Sequence, residues 1–201
     1  MLPEQRPGVR GLLLLPLPPR GVPRDRGARP DRVRGIIMEI CSAGRLTVEK
    51  TEITLPDGKK KERVVVHPGG AVAILPVEGD DCYLIRQYRF AIDDYILEAP
   101  AGTIDEGEEP HETAYRELIE ETGMRAETFV PKGWIYSSPG YTDERIWLYL
   151  ARGLSPCSDY CMDDDEVIEV VRVPVADLAA MIADERIVDA KTICLICRCL
   201  Q

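Results

Sequence analysis

The chain has 201 residues, which suits one domain of ordinary size with appendages, and 45% of them are hydrophobic, which excludes global disorder. Its net charge is −10 and its pI is near 4.8, an acidity that argues against a nucleic-acid backbone as the main partner. An acidic body that acts on an acidic substrate needs cations, supplied by metal ions or by locally placed arginines.

Residues 1–37 differ from the rest. They hold seven of the sixteen prolines, no lysine, and eight arginines against three acidic residues; that is +5, which leaves −15 on the remainder. The apolar run Leu12 to Leu15 ends at Pro16, Pro18 and Pro19 and is too short to span a membrane. Those prolines, and the lack of a small-residue cleavage site, count against a signal peptide. The expectation is a disordered leader, or a product of start-site choice with Met38 as the true beginning. Seven irregularly spaced cysteines do not make a disulfide framework and point to a reducing cytoplasm. Cys194, Cys197 and Cys199 read as small hydrophobes on a final helix, with zinc binding as the other reading.

Residues 38–67 predict a small antiparallel β unit. Arg45 to Leu55 and Lys61 to His67 have strand character, and Pro56-Asp57-Gly58 between them is a turn. Lys59-Lys60-Lys61 reads as a soluble edge. From Gly69 the pattern changes to buried strands: Ala71 to Val77, Cys82 to Tyr88 and Tyr95 to Ala99. After a central helix come strands at Trp134 to Ser137, Arg145 to Ala151 and Val167 to Val173, then helices over Val175 to Asp184 and Ala190 to Leu200. Strands interrupted by one helix and closed by two imply an α/β fold, a mixed sheet with helices on both faces. Trp134 and Trp147 fall in strands and are expected in the core. His67 and His111 lack metal-pair spacing and read as structural or exposed.

The central helix is the most informative stretch. Pro110 stands where a first helical residue tolerates proline, and Gly123 where a left-handed residue ends a helix. Ala114, Tyr115, Leu118, Ile119 and Thr122 share one side, while Glu117, Glu120 and Glu121 cluster on another. Taken alone, such a cluster is a solvated acidic face. It is also a set of hard oxygen donors of the kind Mg²⁺ takes together with water and phosphate.

The wider pattern decides between these. Gly102, five residues, Glu108, seven residues, then Arg116-Glu117-Leu118-Ile119-Glu120-Glu121-Thr122-Gly123-Met124 resembles the Nudix box at every fixed position. The resemblance implies the Nudix α/β/α sandwich and hydrolysis of a nucleoside diphosphate linked to a further group. It implies metal ligation of Mg²⁺, or Mn²⁺, by Glu117, Glu121, Glu120 and the backbone oxygen of Ala101. Glu120 doubles as a water-holder, and Arg116 belongs to the catalytic set, paired with Glu108 so that the loop is fixed on the helix.

Features outside the box resemble the ADP-ribose pyrophosphatase group. They are Pro139, 16 residues past Gly123 in Ser138-Pro139-Gly140; Arg86-Gln87-Tyr88-Arg89; and Leu97-Glu98-Ala99-Pro100 leading into the box. They imply substrate contacts at Arg89, with Arg86 a second candidate, and at Glu98, Ser138, Pro139 and Gly140. In that group the small β unit packs across a homodimer with shared active sites, so the domains read as 1–37 leader, 38–67 dimerising β unit and 68–201 hydrolase. The group also stacks adenine on an aromatic residue of its N-terminal unit, yet no Trp, Tyr or Phe lies between Met38 and Val66 here. The acidic stretch Asp163 to Glu166 reads as a solvated run or, by the resemblance, as the mobile loop that carries the base, with Glu166 first and Asp164 second. The expected partner is a small nucleoside diphosphate sugar, with no nucleic acid and no membrane. Two alternatives stay open: hydrolysis of another sugar nucleotide, such as ADP-glucose or GDP-mannose, and a non-catalytic ADP-ribose sensor.

Overall fold

The computed structural model describes residues 37–157 and 168–200. The first three strands, β1 (Ile37–Ala43), β2 (Leu46–Thr54) and β3 (Lys60–His67), form a small antiparallel sheet in the order β1-β2-β3. The expected turn joins β2 to β3; its Gly58 sits at φ 81, where a side chain would be strained. Sequence reading missed β1. Its pairing with β2 shifts register between Glu39 and Cys41, and such a bulge breaks the alternation that would have betrayed a strand.

Among the described residues the main sheet has seven strands: β4 (Gly70–Glu78), β5 (Asp81–Arg89), β6 (Asp94–Glu98), β7 (Ala101–Thr103), β8 (Met124–Tyr136), β9 (Arg145–Pro156) and β10 (Ile168–Pro174). Its order is β10-β5-β4-β9-β8, with β6 paired to β5 and β7 to β4. Only the β4–β9 pair is parallel among these described strands, so the sheet is mixed as expected. β4 is central, and its Val72 to Leu75 are wholly buried, which is why this segment reads as a continuous apolar run rather than an alternating one.

Among the described residues three α-helices cover the sheet: α1 (Pro110–Thr122), α2 (Leu178–Ala183) and α3 (Ala190–Cys199). Val72, Ile74, Tyr149 and Ala151 pack under Ala114 and Leu118 of α1. On the other face Ala73, Leu75, Leu84 and Leu148 pack against Leu178, Met181, Leu195 and Ile196 of α2 and α3. The result is a three-layer α/β/α sandwich preceded by the small sheet.

β8 corrects the expectation that a strand begins only at Trp134. It runs from Met124 and passes through Pro131 and Gly133, residue types that weaken a strand interior. The strand tolerates both because it lies at the sheet edge and shifts register between Pro131 and Trp134, with Gly133 at φ 85. Tyr115 also departs from its expected apolar side; it is exposed and lies over Phe129 at 6.0 Å.

Candidate active site

α1 begins and ends as its sequence directs. Pro110 is its first residue, and the Glu109 N–H donates to Glu112 Oε2 at 3.0 Å. Gly123 closes it at φ 67, its N–H donating to Ile119 O at 2.8 Å. These ends fix the rotation of the helix. Ala114 and Leu118 enter the core, and one edge turns toward β7. On that edge Glu121 is 3% exposed and accepts from the Ala101 N–H at 2.7 Å. Glu117 lies directly on β7: a Cβ built on Gly102 would stand 1.8 Å from its Oε1. Glu120, at 42% side-chain exposure, faces the opening.

Arg116 is the counter-charge. Its Nε and Nη2 donate to Glu108 at 3.1 and 3.0 Å, and Nη1 donates to Glu117 and Glu120, each at 2.8 Å. The Thr113 hydroxyl also donates to Glu108 Oε2, at 2.8 Å. The Arg116 hydrogen bond is the main reason that the Glu108 carboxyl is held down at about 2, against an ordinary 4.5. Because the folded value is depressed, the stabilisation is complete above the ordinary value and fades as pH falls toward 2. The melting temperature of a Glu108→Gln variant should therefore lie below that of wild type from neutral pH down to about 4.5. The gap should close between there and about 2. Thermal melts of both proteins across that range check this, and a gap that does not change with pH would show that the charge of Glu108 is irrelevant.

A second ionic cluster adjoins the first. Arg89 donates from Nε and Nη2 to the two oxygens of Glu98 at 2.6 and 2.7 Å. Lys191, at the start of α3, also contacts Glu98 and lies 3.2 Å from Asp189. Glu98 is 1% exposed. Burial alone would raise its carboxyl, but the Arg89 hydrogen bond and the Lys191 charge outweigh that and hold it low. Arg89 is thus a cation locked in position by a buried anion. Glu98, expected at the substrate, is the partner of the Arg89 guanidinium and does not itself line the cavity.

Both clusters open into one polar cavity of about 330 Å³, lined by Arg45, Arg89, Ala101, Gly102, Thr103, Asp105 and α1 residues Arg116, Glu117, Glu120 and Glu121. Sequence reading missed Arg45, which comes from the turn between β1 and β2 and lies 3.5 Å from Asp105. It also missed Lys191. Among the described residues no three His, Cys, Asp or Glu side chains are grouped as a ready metal cage, and Arg116 lies between the acids. The donors present are carboxylate and backbone oxygens, with Glu117 seated where only glycine leaves room. That chemistry fits a hard divalent cation.

The other expected site residues fall elsewhere. Arg86 lies three residues from Arg89 on the same strand and so points to the opposite face; it stacks on Tyr95 at 4.3 Å and lies 3.7 Å from Glu169. Ser138, Pro139 and Gly140 do not line the cavity. Their loop is bound to the small sheet instead, the Val66 N–H donating to Tyr141 O at 2.8 Å. His67 braces the same joint, with Nδ1 2.9 Å from Asp143 Oδ2 and Nε2 3.3 Å from Glu49 Oε2. His111 is exposed. Glu166 and Asp164 lie outside the described residues. Cys194 and Cys199 are half-buried and Cys197 is exposed. Trp134 and Trp147, expected in the core, are only partly buried. No helix among the described residues is long and apolar enough to cross a membrane.

Comparison with known proteins agrees with this geometry. The chain is 38% identical over 156 residues to an ADP-ribose pyrophosphatase of Bacillus subtilis, covering 77% of this chain and 84% of that one. It is 34% identical over 160 residues to a methanol dehydrogenase activator of Bacillus methanolicus, covering 77% and 85%. A crystal structure of an ADP compounds hydrolase superposes with a TM-score of 0.75 at 25% identity, covering 87% of this chain and 95% of that one. The NUDIX domain family matches residues 67–196, and with the box carboxylates gathered on one edge of α1, the chain belongs to the Nudix family of hydrolases.

Proposed function

We propose that this hydrolase cleaves the diphosphate of ADP-ribose to AMP and ribose 5-phosphate. The observation that carries the reading is the single cavity in which Glu117, Glu120 and Glu121 meet Arg89 and Arg45. Its resemblance to the B. subtilis pyrophosphatase over 77% of the chain supports the substrate.

Mg²⁺, or Mn²⁺, would be held by Glu117, Glu120, Glu121 and the carbonyl oxygen of Ala101. When bound, such an ion supplies positive charge toward phosphate oxygens and makes water more acidic. The protein's own residues do the rest. Arg89, kept ionised and aimed by Glu98, binds the diphosphate through its fixed fork of donors. Arg45 adds a second cation at the rim. Arg116 holds the box loop to α1 through Glu108, so the acids keep their spacing while a highly charged ligand enters. Glu166, with Asp164 as the second candidate, takes the proton from the attacking water. Arg86 stands off this cavity, a position that leaves it to a more distant part of the substrate or to a partner's site.

The protein acts in the reducing cytoplasm as a homodimer with shared sites. Residues 38–67 are the dimerising unit and 68–201 the hydrolase. The exposed Met38, Ile40, Leu46 and Val64 of the small sheet support that role. The Ser138-Pro139-Gly140 loop, held on the small sheet and off its own cavity, then serves the partner's substrate.

A Mg²⁺-dependent turnover screen over ADP-ribose, ADP-glucose, GDP-mannose, NADH and nucleoside triphosphates tests the proposal. The expected result is the highest kcat/KM for ADP-ribose, with AMP and ribose 5-phosphate as products. A preference for GDP-mannose or ADP-glucose replaces the substrate, and no turnover of any compound returns the chain to the sensor reading.

A further inference from the structure

The only two tryptophans of the chain stand together. On the pair β8–β9, Trp134 is opposite Trp147 and Tyr136 opposite Arg145, so all four side chains share one face. The Arg145 guanidinium carbon lies 4.6 Å from the ring centre of Trp134, 5.6 Å from Trp147 and 5.8 Å from Tyr136. Trp134 and Tyr136 meet edge to face at 5.0 Å. Tyr136 is exposed, and the other three are half-buried.

The partners of Arg145 set it apart. Arg89 and Arg116 are committed to carboxylates, as described above. Among the described residues the Arg145 guanidinium has no hydrogen bond or ion pair; three rings alone hold it. Cation–π contact fixes the plane of a guanidinium without using its N–H groups. The outcome is a rigid planar donor framed by aromatic rings, the chemistry that stacks a nucleobase and donates to its ring acceptors.

The place is also suitable. Gly102, Val72, Trp147 and Trp134 form one row across β7, β4, β9 and β8. The Gly102 member of that row faces Glu117, so the aromatic group lies on the sheet face that carries the acidic cavity. At about 4.8 Å per strand, Trp147 is about 10 Å from Gly102 along the row and Trp134 about 14 Å, distances comparable with a nucleoside 5′-phosphate. Trp147 also packs against Gly70 and Ile104, which makes it the backstop of the group. The small sheet offers no competitor, because it has no aromatic residue between Met38 and Val66.

We infer that Arg145, Trp134 and Tyr136 form a purine subsite that receives the base of the substrate while the diphosphate lies among Arg89, Arg45 and the glutamates. Binding of a purine nucleotide as such is independent of the proposed reaction; the assignment to adenine rests on the ADP-ribose reading. Arg145 is a specificity-determining residue, with no part in bond cleavage.

Because both tryptophans sit in the group, their fluorescence reports on it directly. The full chain in Mg²⁺ is titrated with AMP, GMP and ribose 5-phosphate, none of which contains a diphosphate to cleave. Saturable quenching by AMP and none by ribose 5-phosphate is expected. R145Q should abolish the quench and raise KM for ADP-ribose by about tenfold or more with kcat within about twofold. No quench by either nucleotide, or an unchanged KM in R145Q, overturns the subsite even if ADP-ribose is hydrolysed. Quenching by GMP alone upholds the subsite and instead overturns the choice of ADP-ribose.

Discussion

Glu117→Gln should lower kcat for ADP-ribose on the order of 10³-fold, the size expected when one preorganised charge at a reacting centre is lost. Glutamine keeps the shape of the side chain and removes only its charge. The remaining acids cannot replace it. Glu121 is buried, with one oxygen already bonded to the Ala101 N–H, and Glu120 is the most exposed of the three. Stability should not fall, because three carboxylates at helical spacing repel one another and the variant removes one of them. Arg116 keeps Glu108 and Glu120 as partners. The expected pattern is an unchanged or slightly raised melting temperature without metal, and a smaller rise than wild type when Mg²⁺ is added. Parallel melts and single-turnover assays check both halves. A wild-type metal response together with the turnover loss would place the cation away from Glu117.

The parts of this molecule visible in the sequence are those governed by neighbours in the chain. Pro110 and Gly123 set the ends of α1 because capping depends on a few adjacent residues. The Ala71–Val77 run announced a buried strand because burial on both faces leaves no polar position. The site was legible where spacing along one helix places Glu117, Glu120 and Glu121 together. What stayed hidden depends on chain segments that meet only after folding. Lys191 reaches Glu98 across 93 positions, and Arg45 arrives at the cavity from a different sheet. Neither has a local signature. The tryptophans show a subtler failure. Both lie in strands, yet they are only partly buried, and Tyr136 beside them is exposed. Alternation identifies the face of a strand and cannot say how far along it the covering layer extends.

Gly102→Ala should separate activity from stability more cleanly than any charge change. Gly102 is not among the glycines at positive φ, so its backbone does not need glycine. The reason lies across the gap to α1. An added Cβ would fall 1.8 Å from Glu117 Oε1 and 1.9 Å from its Cδ, an overlap that forces a shift. Two parts can give way. β7 is fixed by its pairing with β4 at Ala71, Val72 and Ala73 and by the Ala101 bond to Glu121. The Glu117 carboxylate, at the end of a flexible side chain, moves at a cost of about 1 kcal/mol in rotamer strain. The side chain therefore swings out and leaves both Arg116 and the donor set. Expected are a melting temperature close to wild type and a fall in kcat of about 10²-fold or more. Adding Glu117→Asp should discriminate further, since the shorter acid leaves room for the new methyl group. Partial recovery of turnover in the double variant, beyond either single one, is the coupling expected of residues in contact. A double variant no better than Gly102→Ala, joined to a lowered melting temperature, would mean that β7 moves and that the glycine serves the strand rather than the carboxylate.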